Sequence, residues 1–168
     1  HNVYGENQNI GDKYRNVIGI FMNQIMQGKQ LTIFGDGTQT RAFSYIDDVA
    51  IPIAKSVHIP EAYNEIFNIG ADKPYSVNEL ATVVSEEFGV EPNIKYLSAR
   101  NEVLHAYSDH SKAHKVFGDP SGVDLKEGIK RMASWAKRVG ARASKEFDNI
   151  EITEKLPDGW QVKKQAVV

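Results

Sequence analysis

Asn2, Asn16, Arg41, Tyr45, Arg100 and Glu102 are polar residues in turn-rich stretches or at the ends of strand-like runs. Two arginines delivered from separate connections suit a diphosphate, because each guanidinium presents planar donors to phosphate oxygens. The same side chains serve equally well in surface ion pairs with Asp36, Asp47 or Glu102, and residue types alone leave both readings open. Other chemistry is poorly supplied. Of the histidines His1, His58, His105, His110 and His114, only His110 and His114 have the i, i+4 spacing that places two rings on one helix face. With no glutamate base between them and no third ligand nearby, they are expected to be solvated surface residues, and no metal site is expected. There is no cysteine, which removes disulfides, thiolate zinc sites, iron–sulfur clusters and cysteine nucleophiles. No Gly-x-Ser-x-Gly elbow occurs either, so no self-contained catalytic set is present.

The elements that must carry these residues follow from periodicity. Val17, Ile18, Phe21, Met22, Ile25 and Met26 form the stripe of an amphipathic helix that Gly28 ends. Leu31 to Phe34 reads as a strand, Gly35-Asp36-Gly37 as a turn, and Ala42 to Ile46 as extended again. The turn lacks the third glycine of a phosphate-cradling loop and leads into a strand, so a β-turn is predicted there. Asp47 and Asp48 are placed to cap a helix reaching about His58, with Val49, Ile53, Ala54 and Val57 inward and Pro52 near its first turn. Glu65 to Ile69 is predicted as a strand, and Ser76-Val77-Asn78-Glu79 as a capping box opening a helix that Gly89 closes. Asn93 to Leu97 makes a further strand. Asp109 caps a short helix stopped by Gly118, and Asp124 with Glu127 opens a longer one carrying Ile129, Met132, Ala133, Ala136 and Val139. Strands alternating with helices mean an α/β fold. Residues 1–147 are expected to form one unit and 148–168 a tail of weak pattern.

Bulk properties exclude several classes. A formal net charge of −2 with intermixed signs gives no basic field for nucleic acid or a membrane surface. No apolar run approaches the ~20 residues that span a bilayer, and the polar opening is no secretory signal, so a cytoplasmic setting is expected.

The strings Asn2-Val3-Tyr4-Gly5, Leu31 to Gly37 (LTIFGDG) and Arg41 to Ala50 (RAFSYIDDVA), followed by Phe67-Asn68-Ile69-Gly70 and Val77-Asn78-Glu79-Leu80, stand in that order. Together they closely resemble the C-terminal half of the NAD-dependent epimerase/dehydratase family of extended short-chain dehydrogenases/reductases, most of all its UDP-glucose 4-epimerase-like members. The resemblance implies the substrate-binding portion of an extended Rossmann-type protein, with a few elements completing the Rossmann sheet. It implies a nucleotide-sugar substrate, UDP-linked, and NAD held mainly by an N-terminal half that also supplies a Tyr-x-x-x-Lys pair. No tyrosine here is followed four residues later by lysine, so no catalytic residue is assigned and the isolated chain is expected to be inactive.

By motif position, the resemblance implies that Asn2 meets the substrate diphosphate, that His1 and Val3 lie near the nicotinamide, and that Asn16 and Val17 hold the nucleotide. Thr32 and Phe34 would pair with the uracil edge through the backbone, and Arg41 would grip phosphate. Arg100 and Glu102 match a late arginine–acid pair for phosphate and ribose, although Arg100-Asn101-Glu102 lacks the usual intervening glycine. The full-length enzyme would be an epimerase, compatible with a homodimer. The alternatives are a dehydratase or decarboxylase on the same scaffold, or a non-catalytic nucleotide-sugar-binding module.

Overall fold

A computed structural model describes residues 2–12, 14–119 and 122–144 of the chain. His1 and the proposed tail, 148–168, lie outside the described residues. Three amphipathic helices supply most of the core: α1 (Val17–Met26), α3 (Val77–Phe88) and α5 (Leu125–Val139). Their stripes bury Phe21, Met22, Leu80, Ile129 and Met132 completely, and α3 packs on both α1 and α5. The ends of two of these helices are encoded as the sequence indicates. Ser76 and Glu79 form a reciprocal capping box at α3, Gly89 closes that helix in the left-handed conformation, and Asp124 accepts from the Glu127 N–H at α5. Val139, in the last turn of α5, is exposed.

Short strands are laid against this helical layer. β1 (Val3–Tyr4) runs parallel to β4 (Ser44–Tyr45), and β2 (Leu31–Phe34) runs parallel to β6 (Ile94–Leu97) in the register Leu31↔Ile94. β3 (Thr40–Ala42) is central to a third sheet, antiparallel to β5 (Pro74–Ser76) and parallel to β7 (His105–Ala106). The Gly35–Gly37 turn joins β2 to β3, as predicted. Gly35 and Gly37 have φ of 76° and 78°, and a Cβ on Gly37 would collide with the Asn78 side chain. Asn78 reaches back to donate to the Asp36 carbonyl, which bolts the turn to the start of α3.

Three expectations are corrected. α2 (Ile46–Ser56) forms, but Pro52 lies inside it, Asp47 and Asp48 make no side-chain cap, and Ile53 and Val57 are 57% and 64% exposed; no residue of this helix is buried. Its apolar stripe predicts a face without saying what lies against it. Glu65 to Ile69 joins no ladder among the described residues, and Ile66 is 86% exposed. A β-prone run becomes a strand only where a partner edge is present. His110 is fully buried, its Nδ1 at 2.7 Å from Asp72, so it is no solvated surface residue. Completing the described elements, α4 (Ser111–Phe117) begins where Asp109 accepts from the Ser111 N–H.

Candidate nucleotide site

One cleft of about 300 Å³ is lined by Asn2, Asn16, Val17, Thr32, Phe34, Arg41, Arg100 and Glu102, all eight residues singled out as substrate contacts. Topology brings them together. The N-terminus of α1 supplies Asn16 and Val17, the open edge of β2 supplies Thr32 and Phe34, β3 supplies Arg41, and the connection after β6 supplies Arg100 and Glu102. Asn2 and Asn16 both adopt left-handed backbone, φ 43° and 63°, and neither side-chain amide makes a hydrogen bond among the described residues. Asparagine tolerates that conformation better than most residues, and it turns each side chain out of the regular element.

The two arginines face the same cleft by different means. Arg41 donates from one terminal nitrogen to the Thr40 and Leu104 carbonyls and from the other to Glu102 at 2.9 Å. A guanidinium has five N–H donors, and these three bonds leave two uncommitted. The Arg100 guanidinium sits over the Phe34 ring, its Cζ 3.3 Å from the centroid, and that side chain makes no hydrogen bond among the described residues. Burial against the ring lowers its pKa from the usual arginine value, with the Glu102 carboxylate opposing that shift; the group stays cationic at any accessible pH. The ion-pair and phosphate-clamp readings of Arg41 are therefore compatible, since the pair with Glu102 holds the guanidinium in the cleft wall.

Strand β2 offers main-chain groups on its open side. Leu31 and Gly35 donate to the Asn93 and Leu97 carbonyls of the β6 side, so Thr32 and Phe34, between them, turn their N–H and C=O away from the ladder. The Thr32 N–H donates to the Gln24 side chain at 3.2 Å, and the Phe34 carbonyl accepts from Gln39 at 2.9 Å. The Thr32 carbonyl and the Phe34 N–H remain unbonded among the described residues.

Several lining residues escaped the sequence reading, among them Tyr14, Ile20, Val77 and Gln39. Gln39 carried a usable signal: it stands two residues before Arg41 in an extended run, hence on the same side. Tyr45 is a structural residue. It is buried, its hydroxyl donates to Glu6 at 2.6 Å, and burial together with that carboxylate pushes its phenol pKa up to about 12. Val3 lines an adjoining recess of about 10 Å³ that shares Asn2, Asn16 and Val17 with the cleft and has room for no more than one water.

Another cleft, of about 290 Å³, lies between α2 and α4, bounded by Asp47, Asp48, Lys55, His110 and His114. No group of three or more metal-ligating side chains occurs among the described residues.

Parallel strand pairs covered by helices, with a polar cleft beside the open edge of β2, define an α/β fold of the Rossmann type. Residues 1–70 match the model of the NAD dependent epimerase/dehydratase family. A putative UDP-glucose 4-epimerase of Methanocaldococcus jannaschii is 41% identical over 137 residues, 81% of this chain and 43% of that protein. A UDP-glucuronate 4-epimerase of Thermodesulfobacterium geofontis is 36% identical over 138 residues, 81% of this chain and 39% of its own length. Among solved structures, the UDP-glucose 4-epimerase of Thermotoga maritima with UDP-glucose superposes with a TM-score of 0.73 at 30% identity, covering 82% of this chain and 44% of that one. The chain belongs to the NAD-dependent epimerase/dehydratase family and has the fold of its C-terminal part. It spans less than half the length of the relatives it matches. Further relatives are named as nucleotide-sugar dehydratases and a decarboxylase.

The Gly35–Gly37 turn does not suit a dinucleotide pyrophosphate. The Gly35–Gly37 turn runs into β3, and its concave side is filled by Asn78, so no helix N-terminus behind a glycine loop is available for the pyrophosphate.

Proposed function

We propose that this chain is the nucleotide-sugar-holding part of an NAD-dependent epimerase acting on a UDP-linked sugar, with NAD held mainly by the part of its relatives that this chain does not span. The observation that carries the reading is the meeting of Arg41, Arg100, Asn2 and Asn16 in one cleft beside the open edge of β2. A nucleoside diphosphate matches that arrangement piece by piece. The two uncommitted donors of Arg41 and the guanidinium of Arg100 face the diphosphate, and the asparagine amides add uncharged donors. Glu102 accepts from ribose hydroxyls while keeping its hold on Arg41. The Thr32 carbonyl and Phe34 N–H present an acceptor and a donor, the complement of a uracil imide edge. Val17 and Ile20 give the base an apolar wall.

In this role the chain's residues bind and orient; proton and hydride movement is left to groups outside them. Dehydration or decarboxylation of the same class of substrate requires the same grip, and relatives with those activities support that second reading. Calorimetric titration with UDP tests the site: saturable binding is expected, and no heat up to millimolar nucleotide rejects the reading. The epimerase assignment is tested in the full-length enzyme by interconversion of UDP-glucose and UDP-galactose.

A further inference from the structure

The open edge of β2 carries four main-chain groups in sequence: Thr32 N–H, Thr32 C=O, Phe34 N–H and Phe34 C=O. The outer two are occupied. Gln24, on α1, accepts from the Thr32 N–H at 3.2 Å and donates from its own amide to the Thr32 hydroxyl at 2.9 Å. Gln39 donates to the Phe34 carbonyl at 2.9 Å, and the same nitrogen lies 3.5 Å from the Glu102 carboxylate. The two glutamines therefore bracket the edge, leaving one acceptor followed by one donor.

From this we infer that Gln24 and Gln39 are specificity-determining residues: by capping the outer groups they restrict the site to bases with an imide edge, uracil or thymine, and exclude cytosine. The inference rests on the nucleotide reading given above. An imide presents N–H and C=O side by side, which matches the Thr32 C=O and Phe34 N–H. Cytosine presents a ring-nitrogen acceptor beside an amino donor. With the ring running in the direction that sets the uracil O4 on the Phe34 N–H, cytosine needs a donor followed by an acceptor, and the bare strand would supply that order twice, at Thr32 and again at Phe34. Each pair is broken by one glutamine cap. Discrimination by hydrogen bonding of this kind is strong, because the wrong base leaves polar groups unpaired against the strand.

Neither residue needs to touch the base. Gln39 is buried and Gln24 half-buried, and each acts through the strand it caps. Gln39 also ties the base end of the site to Glu102 and, through Glu102, to Arg41.

The test is calorimetric titration of the 168-residue chain, its Gln24→Leu variant and its Gln39→Leu variant with UDP, dTDP and CDP, with melting temperatures measured alongside. The unmodified chain is expected to prefer UDP and dTDP to CDP. Each leucine variant uncaps one group and is expected to reduce that preference by about tenfold, mainly through tighter CDP binding. A merely structural role would weaken all three nucleotides together and leave the ratio unchanged. An unchanged ratio in either variant that melts like the unmodified chain overturns the inference while leaving the nucleotide site intact. Failure of the unmodified chain to bind any of the three removes the underlying site reading as well. Gln24 lies at the edge of the core, so its variant is expected to fold even if the buried Gln39 is less tolerant.

Discussion

Arg41 and Glu102 meet with side chains 16% and 40% exposed, so solvent partly screens the pair. Ion pairs of this exposure contribute at most about 1 kcal/mol, whereas a diphosphate oxygen offers a full charge-assisted bond. Arg41→Ala and Arg100→Ala are each expected to lower UDP affinity by about tenfold to a hundredfold, equivalent to roughly 1.5–3 kcal/mol. Uridine without phosphates should be nearly indifferent, and titration of both ligands against both variants separates a phosphate contact from general loosening. If the two arginines matter only as surface ion pairs, neither ligand will distinguish the variants. These residues were legible through the motif order that carries the family resemblance, since residue type alone left the surface ion-pair reading open. Gln24 was not, because a glutamine on a helix has many roles and only its hydrogen bonds to Thr32 select one, and Gln39, though its spacing from Arg41 gave its side of the strand, has its part fixed only by the bond to Phe34.

At the scale of elements, legibility followed the completeness of the local code. The helix α3 has its capping box, its apolar stripe and its closing glycine within the sequence, and it forms as read. Glu79 accepts from the Ser76 N–H and hydroxyl, and those bonds hold its carboxyl below the usual carboxylate range. A carboxyl depressed in the folded state contributes stability that is present above its unfolded pKa of about 4.3 and is lost as pH falls through the lower folded value. Ser76→Ala is accordingly expected to cost about 1 kcal/mol near neutral pH, with the cost shrinking in acid below about pH 4. Thermal melting across that range checks both. α2 and the segment 65–69 were misjudged because an apolar stripe or a β-prone run specifies an element's face but not the surface that covers it. Close approach of helix to strand makes another site sensitive: a Cβ on Gly128 of α5 would collide with the buried hydroxyl of Tyr4 on β1. Gly128→Ala is expected to destabilise the chain by about 1–3 kcal/mol through overpacking, despite the better helix propensity of alanine. A melting temperature equal to that of the unmodified chain would show that the α5–β1 contact relaxes freely.

For the molecule as a whole, the division of labour between nucleotide sugar and dinucleotide gives the last prediction. A dinucleotide pyrophosphate is held where a glycine-rich turn lets backbone approach it and a helix N-terminus aims N–H groups at its charge. Among the helices described here, α1 follows Asn16 and its start opens onto the candidate nucleotide cleft. α2 begins with Asp47 and Asp48, whose charge opposes an anion, and the first turn of α3 is closed by Ser76, Glu79 and the Gly35–Gly37 turn. The N-terminus of α5 is occupied by Asp124 in the same way. The negative charges at α2, α3 and α5 repel a second diphosphate, while Arg41 and Arg100 serve the first. The isolated chain is therefore expected to bind UDP and to show no NAD binding tighter than about 0.1 mM, roughly 5.5 kcal/mol. Calorimetry with the two ligands on one preparation reads both halves of the expectation. Submicromolar NAD binding by this chain would require a dinucleotide site in the segment described here and would overturn the assignment of that task to the remainder of the family's fold.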